Sequence, residues 1–207
     1  MSVKTSGTLD GHPKGRVPRA LRLKQLLDVA EELFVTEGYD GTTIEEICRI
    51  AGVSRPIVYD LIGNKAAIYL ACVRRARAEL ERAFAAAAAS SHDPQEQLAK
   101  GSEAYFELLE RDPGRWQLFF GHTGIAGELA DELARERSRT VRAIAAVLSR
   151  YAPGARDDVI EGYASLISGA GEQLGRWWLT HPEITRQQIV EMNTKFVWRG
   201  VRHLRKA

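Results

Sequence analysis

The residues of this chain best suited to bind an anion such as phosphate are basic: Lys65 and a group of side chains within residues 1–24. Lys65 follows Asn64, a helix-capping residue type, and so lies in the first turn of a predicted helix. A cation there opposes the helix macrodipole, so either water screens an exposed ammonium or an anion bound at the helix amino terminus offsets the repulsion. Residues 1–24 contain one acidic residue, Asp10, and six basic residues: Lys4, Lys14, Arg16, Arg19, Arg22 and Lys24. The region is either solvated surface or a phosphate-binding surface.

Residues 42–59 predict two short helices joined by a tight turn. Thr42 or Thr43 can cap the first helix, because each is followed three residues later by a Glu, the capping-box spacing. Gly52 supplies the positive φ of the turn, and Ser54 can cap the second helix by accepting the N–H three residues on. Helix, glycine turn, helix is typical of helix-turn-helix DNA-binding proteins. In that setting Lys65 is predicted to contact a DNA phosphate, and the basic residues of the amino-terminal arm are predicted to contact phosphates or the minor groove.

The remaining chain is also predicted to be helical. Apolar residues recur at helical spacing, and capping residues, Pro and Gly mark where helices start and stop. The predicted helices cover about residues 19–37, 65–89, 94–111, 128–150, 156–180 and 186–204, with a short helix around residues 116–120. No hairpin pattern interrupts them. The predicted fold class is all-α: a three-helix helix-turn-helix DNA-binding head followed by a second helical domain.

Composition limits the class of protein. The 207 residues include 29 basic and 27 acidic side chains, so any affinity for nucleic acid must come from local charge. No apolar run approaches the roughly 18 residues that span a membrane. The basic amino terminus is not followed by the apolar segment of a signal peptide. We therefore expect a cytoplasmic protein with no membrane partner.

The side chains that commonly carry catalysis or bind metals form no recognisable set. Cys48 and Cys72 lie on apolar helix faces without a CxxC motif, which favours reduced core thiols. The five histidines have neither HxxxH spacing nor a matched cysteine or carboxylate cluster. We therefore expect no enzymatic activity, no metal site and no cofactor, with an all-α enzyme kept as an alternative.

A set of motifs across about residues 20–72 resembles the TetR family of bacterial transcriptional regulators. They are Thr42-Thr43-Ile44, Ala51-Gly52-Val53-Ser54, Tyr59 and Asn64-Lys65, after a helix ending Leu33-Phe34-x-x-x-Gly38-Tyr39. Over the rest of the chain the resemblance is architectural. One departure is Leu61-Ile62, where the family usually has an aromatic residue. A branched aliphatic side chain can still fill that core position.

The resemblance implies two kinds of DNA contact. The residues implied to bind phosphates are Thr43, Tyr59 and Lys65. Those implied to face base edges, at the front of the recognition helix, are Arg55, Pro56 and Ile57. Arginine can donate two hydrogen bonds to guanine O6 and N7, and apolar groups suit a thymine methyl. Arg55 is therefore the main candidate for sequence specificity, the alternative being a phosphate contact alone.

The last two predicted helices are the expected homodimer interface. One helix-turn-helix contacts few bases, so such proteins usually bind a palindromic operator as dimers. Four small residues in the penultimate helix lie on one face at i, i+4, i+7 and i+11: Ala164, Ser168, Gly171 and Gly175. They allow another helix to approach closely, either in a dimer or within the chain. We favour the dimer.

Aromatic side chains in the second half form the predicted effector site. They are Tyr105, Phe106, Trp116, Phe119, Phe120 and Trp177. Such clusters are often plain core, but the resemblance implies a small effector bound among them. The polar groups nearby are few: Gln117, His122, Thr123 and Gln173. An apolar effector is therefore favoured, of a fatty-acyl or drug-like kind.

These expectations combine into one hypothesis. The chain is predicted to divide into a flexible basic arm (1–18), a helix-turn-helix DNA-binding domain (19–72) and an effector-binding and dimerisation domain (73–207). It would be a TetR-like transcriptional regulator, usually a repressor, that binds a double-stranded operator as a homodimer and responds to a small molecule. The alternatives are an all-α enzyme and a helical protein–protein adaptor that binds no DNA.

Overall fold

The computed structural model describes residues 18–121 and 125–204, and these residues form helices without any strand. In chain order the helices are α1 (Arg19–Gly41), α2 (Ile44–Ala51), α3 (Arg55–Leu61), α4 (Lys65–Ala89), α5 (Pro94–Arg111), α6 (Arg115–Phe120), α7 (Glu128–Tyr151), α8 (Asp157–Trp178) and α9 (Arg186–Val201). The predicted all-α class is confirmed. The predicted basic arm lies outside the described residues, apart from Pro18. No single described helix is long and apolar enough to cross a membrane; α3 and α4 together meet that length and composition but are bent by 53°.

The helix-turn-helix geometry follows from three local signals. Gly38 leaves helical geometry within α1 (φ 75°, ψ 175°), close to the predicted helix end at residue 37. The Thr43 hydroxyl oxygen caps α2 by accepting the Glu46 N–H at 3.2 Å. Gly52 adopts the left-handed conformation (φ 64°) that turns the chain towards α3. An L residue with a Cβ is strained at a positive φ, so these turns depend on glycine.

The predicted Ser54 side-chain cap is wrong. Ser54 has the extended backbone of an N-cap residue, and its carbonyl accepts the Val58 N–H at 3.2 Å, but its side chain makes no capping hydrogen bond. The first residues of α3 are exposed. Their unpaired N–H groups are therefore open to water, which removes the need for a side-chain acceptor.

The core of the head brings α1, α2, α3 and the start of α4 together. One fully buried aliphatic side chain from each helix meets there: Leu26, Ile47, Val58 and Ile68. The rings of Phe34, Tyr39 and Tyr69 also pack together in this core, with their centroids 4.9 to 6.1 Å apart. These contacts hold the two short helices, which would not be stable alone.

The head and the body share one hydrophobic core. The cluster of buried residues that begins at Leu26 continues without a break through α4 to Phe106, Phe119 and Trp178. A second, smaller cluster packs the carboxyl-terminal half of α7 against α8 and α9. The proposed division between residues 72 and 73 falls inside α4, a continuous helix. The head and the body are therefore joined by one continuous helix and one shared core.

The stripe of small residues on α8 serves packing within the chain. Ala164 is fully buried in the cluster that contains Val197 of α9. The Tyr105 hydroxyl of α5 donates to the Gly171 carbonyl at 3.2 Å. A Cβ on Gly175 would lie 2.9 Å from Leu109 Cδ1 and 3.0 Å from the Tyr105 hydroxyl. Our preference for a dimer contact along this stripe is therefore wrong, because α5 and α9 already occupy it.

Gly114, in the turn before α6, is predicted to be essential for the contact between α6 and α1. A Cβ there would overlap Val35 Cγ1 and lie 3.3 Å from both Val35 Cβ and Cγ2, so no rotation of Val35 relieves the clash. We expect Gly114→Ala to lower the free energy of unfolding by about 1–3 kcal/mol.

Denaturant unfolding of the purified variant checks this value. Gly101→Ala is the matched control, because a Cβ at Gly101 meets only Phe84 Cδ1 at 4.0 Å, an ordinary contact. Removing a helical glycine there should raise stability by about 0.5–1 kcal/mol. Equal stability of Gly114→Ala and the wild type would contradict the tight contact.

Candidate nucleic-acid interface

Helix α3 presents the predicted base-contacting residues on one exposed surface. Arg55, Pro56 and Tyr59 are exposed, and Ile57 is half-buried. Val58 points the other way and is fully buried in the head core. Because side chains four residues apart share a helix face, Arg55 and Tyr59 lie beside each other. The structure therefore brings the predicted recognition residues together on the outside of the head.

Arg55 is held in the free protein by neighbours on α2 and α3. Its Nη1 lies 2.7 Å from Glu45 Oε1, and both side chains are more than half exposed. A side-chain hydrogen bond with Tyr59 and the charge of Glu45 raise the pKa of the Arg55 guanidinium. An exposed ion pair contributes little to stability. A DNA base edge or phosphate can therefore displace Glu45 at small cost.

Thr43 and Lys65 lie at the amino termini of α2 and α4. Thr43 is exposed, and its hydroxyl keeps a hydrogen to donate while its oxygen caps the helix. Lys65 is half-buried and contacts the head itself: its Nζ lies 4.5 Å from the centre of the Tyr39 ring and 3.4 Å from the Asp40 carbonyl oxygen. The ammonium has three donors. The phosphate contacts of both residues stay predictions, and Lys65 also supports the turn after α1.

Arg19 has a role that the sequence did not reveal. Its Nη1 lies 2.6 Å from Asp60 Oδ2, and its Nη2 donates to the Asp60 carbonyl oxygen at 2.6 Å. By sequence alone, Arg19 belongs with the basic residues near the flexible arm. Instead it ties the start of α1 to the carboxyl end of the recognition helix, where a cation suits the helix dipole. No local pattern links residues 41 positions apart.

Five of the six predicted effector-site aromatics form one cluster. Tyr105, Phe106, Trp116 and Phe119 are buried, and Phe120 packs against them with its ring centroid 5.5 Å from Trp116 and 5.9 Å from Phe119. The Tyr105 and Phe106 rings meet edge to face at 5.0 Å. These five residues are called the aromatic cluster below.

Two groups from the predicted effector site are not part of the aromatic cluster. Trp177 is 39% exposed and its ring stacks on His181 with centroids 4.1 Å apart. Gln173 is exposed as well. Residues 122–124 and the side chain of Gln117 lie outside the described part of the chain. Trp177 is therefore a surface residue at the end of α8, because the helix turns its neighbour Trp178 into the core instead.

In the described part of the chain, the residue types that bind metals do not come together as a metal site. Within residues 18–121 and 125–204, no group of three or more His, Cys, Asp and Glu side chains could hold a metal ion. Burial raises the pKa of the Cys72 thiol to about 12, and burial with the charge of Glu45 raises the pKa of Cys48. Both thiols are therefore protonated at neutral pH and are poor nucleophiles.

Comparison with known sequences places this geometry in a family. The model of the family described as bacterial regulatory proteins, tetR family, matches residues 26–72. The transcriptional activator FasR of Mycolicibacterium smegmatis is 28% identical over 202 residues, which cover 94% of this chain and 90% of FasR. The match thus extends through the body as well as the head.

Solved structures share the fold. The fatty acid degradation regulator FadR from Bacillus halodurans has a TM-score of 0.74 at 15% identity, covering 92% of this chain and 100% of FadR. AibR, solved in complex with isovaleryl coenzyme A and operator DNA, has a TM-score of 0.67 at 18% identity, covering 84% of this chain and 97% of AibR. The head of this chain, residues 26–72, is therefore a helix-turn-helix domain of the tetR type, and the similarity to FasR spans nearly the whole chain.

Proposed function

We propose that this chain is a transcriptional regulator of the TetR family, that it binds a palindromic operator as a homodimer, and that a small, largely apolar effector changes its affinity for DNA. The observation that carries the proposal is the exposed surface of α3, on which Arg55, Pro56 and Tyr59 are free to enter a DNA groove. Arg55 would read guanine, and Pro56 with Ile57 would contact a thymine methyl. Thr43, Tyr59 and Lys65 would bind phosphates and set the register of the head on the duplex.

An exposed apolar surface on α8 and α9 supports dimerisation. Leu166 is 67% exposed, Met192 is 48% exposed and Phe196 is 68% exposed. On the same two helices a Cβ added at Gly162, Gly169 or Gly200 would meet no atom within 4 Å, so these glycines leave space for a second helix. Exposed apolar surface of this kind marks an interaction site. We propose it as the face that pairs with a second copy of the chain.

The aromatic cluster and the relatives support a fatty-acyl effector. Phe106, Phe119 and Leu109 are fully buried and apolar, and side chains of this kind suit a hydrocarbon chain. FadR is described as a regulator of fatty acid degradation, and AibR was solved with an acyl thioester. The simplest action is repression by occupying a promoter. FasR is an activator, so the position of the operator relative to the promoter would decide whether this chain activates or represses transcription.

Helix α6 offers a route from the aromatic cluster to the head. It carries Trp116 and Phe119, and it starts with Arg115, which ion-pairs with Glu79 of α4 and lies 3.3 Å (Nε to Oε1) from Glu31 of α1. An effector that wedges between the aromatic rings would shift α6 and therefore the ions that tie it to α1. Such a ligand changes DNA affinity only by binding two arrangements of the heads unequally.

Operator DNA is found with the chromosome, so we expect the protein to act in the cytoplasm.

Arg55 is expected to determine the sequence specificity of DNA binding. Arg55→Ala should weaken binding to the specific operator by about 1–3 kcal/mol and leave binding to unrelated DNA nearly unchanged, because a base contact is lost. Lys65→Gln should weaken both about equally and lower the salt dependence of binding, because a phosphate contact is lost.

Fluorescence anisotropy at fixed salt measures both affinities, with the operator taken from genomic fragments that the purified protein selects. Arg82→Ala is the matched control, since Arg82 is exposed on α4 away from the head. Equal operator affinity of Arg55→Ala and the wild type would refute base reading by Arg55. If the wild type selected no DNA at all, the adaptor alternative would replace the regulator.

Phe196 is expected to be needed for dimerisation. Phe196→Glu should convert the dimer to a monomer at micromolar concentration, because it places a charge in the centre of the proposed apolar interface. Sedimentation velocity distinguishes the two species. Leu21→Glu is the control, because Leu21 is also an exposed apolar residue (44%) but lies on α1. A wild-type protein that sediments as a monomer would rule out the proposed interface.

Arg115 is expected to couple effector binding to DNA affinity. Arg115→Met should preserve effector binding and most DNA affinity but reduce the effector-dependent change in DNA affinity, because the ion pairs from α6 to α1 and α4 are lost. Anisotropy with and without a saturating acyl ligand measures that change. Arg111→Met, which removes an exposed ion pair to the same Glu79, is the control. An unchanged effector response in Arg115→Met would exclude this route.

A further inference from the structure

Arg77 is a buried cation without a carboxylate partner. Its side chain extends from α4 into the body and is 4% exposed. Nη1 donates to Thr140 Oγ1 at 2.8 Å and Nη2 donates to the Phe119 carbonyl oxygen at 3.2 Å, while Nε has no acceptor. Among the described residues no Asp or Glu oxygen lies within 4.0 Å of the guanidinium. Burial lowers the pKa of Arg77, as expected when a charge is removed from water without full compensation.

Other buried charges in the described part of the chain are compensated. Glu31 pairs with Arg75, Glu136 pairs with Arg74 at 2.7 Å, and Glu172 pairs with Arg137. Proteins ordinarily bury charges only in such pairs, because an isolated one is costly. Arg77 has no such ion pair: the charges of Glu136 and Glu81 favour its cationic form only from beyond 4.0 Å, and burial outweighs them. Its position therefore calls for a separate explanation.

A second buried donor lies in the same cluster of side chains. Trp116 is 7% exposed, and its indole Nε1–H has no acceptor. The Arg77 guanidinium lies 5.7 Å from the centre of the Phe119 ring, and Phe120 bridges the Phe119 and Trp116 rings. Both unpaired groups are donors. Buried polar groups nearly always have partners, so two donors without an acceptor in one apolar cluster indicate that the acceptor comes from a ligand.

We propose that the effector is an apolar molecule with a carboxylate, and that this carboxylate binds inside the aromatic cluster to Arg77, with the Trp116 N–H as a second donor. The proposal rests on the proposed function, since it takes the aromatic cluster as the effector site. It adds the chemistry of the buried end of the ligand. The hydrocarbon body would lie against Phe106 and Phe119.

The charge of Arg77 selects among possible acceptors. A carboxylate accepts charge-assisted hydrogen bonds from a guanidinium and neutralises it. An ester or thioester carbonyl accepts a hydrogen bond but leaves the buried positive charge uncompensated. A free fatty acid or another hydrophobic carboxylate therefore fits these donors better than its ester of the same length.

The test compares straight-chain carboxylates with their methyl esters of matched length by isothermal titration calorimetry on the full chain without DNA. The wild type should bind the carboxylate at least about tenfold more tightly than the ester. Arg77→Met should remove that preference, and Arg77→Lys should retain part of it. Arg82→Met, five residues along α4 and exposed, should keep the wild-type preference.

Trp116→Phe gives a second measurement if Arg77→Met does not fold. It removes the N–H and keeps an aromatic ring, so carboxylate affinity should fall several-fold while ester affinity changes little. Any ligand-induced change in tryptophan fluorescence should also become smaller.

Three results would overturn the inference. They are equal affinity of the wild type for carboxylate and ester, a preference that survives in Arg77→Met, and binding of acyl coenzyme A thioesters with no binding of the carboxylates. The last would leave an acyl effector in place and remove only the buried carboxylate. Failure of the wild type to select operator DNA would instead refute the proposed function, and it is measured separately.

Discussion

The buried carboxylate of Glu31 is the interaction on which the junction between head and body depends. It lies on α1, is 8% exposed, and pairs with Arg75 of α4 and with Arg115 of α6. Removing one partner of a buried ion pair leaves an uncompensated charge and is strongly destabilising. The three helices are therefore held in one relative position, and α1 in turn carries the helix-turn-helix. Any rearrangement of α6 must keep these ions paired or move α1 with it.

This junction lies between helix α3 in the head and the aromatic cluster in the body. On the head, a short α3 would not be helical alone, and it depends on Val58 in the core and on Arg19 at its carboxyl end. In the body, the aromatic cluster lies on α5 and α6, and Arg115 is the first residue of α6. The proposed effector response would need both a rigid DNA-contacting surface and a movable element near the ligand. The ion pair between Glu31 and Arg115 connects α1 to α6.

The sequence predicted much of the local structure because local structure depends on neighbours in the chain. The Thr43 cap and the Gly52 turn act within a few residues, and both are found where they were predicted. The helix bounds of α7, α8 and α9 agree to within three residues. Ser54 is the exception, because solvent can replace a side-chain cap at an exposed helix start.

What lies on a helix face depends on the partners that face meets, and these are distant in sequence. Ala164, Gly171 and Gly175 have the spacing of a dimer contact, yet α5 and α9 pack against them, and the exposed apolar residues of α8 and α9 lie elsewhere. Trp177 and Trp178 are adjacent letters, but one is exposed and the other is buried. Arg77 and Arg82 look alike in sequence, and only packing shows that one is a buried charge without a counter-ion. The sequence by itself determined the helices, their caps and the recognition motif, because these are set by short-range hydrogen bonding. The tertiary structure alone decided which faces are covered and which charges are buried, because burial is a property of residues brought together from distant parts of the chain.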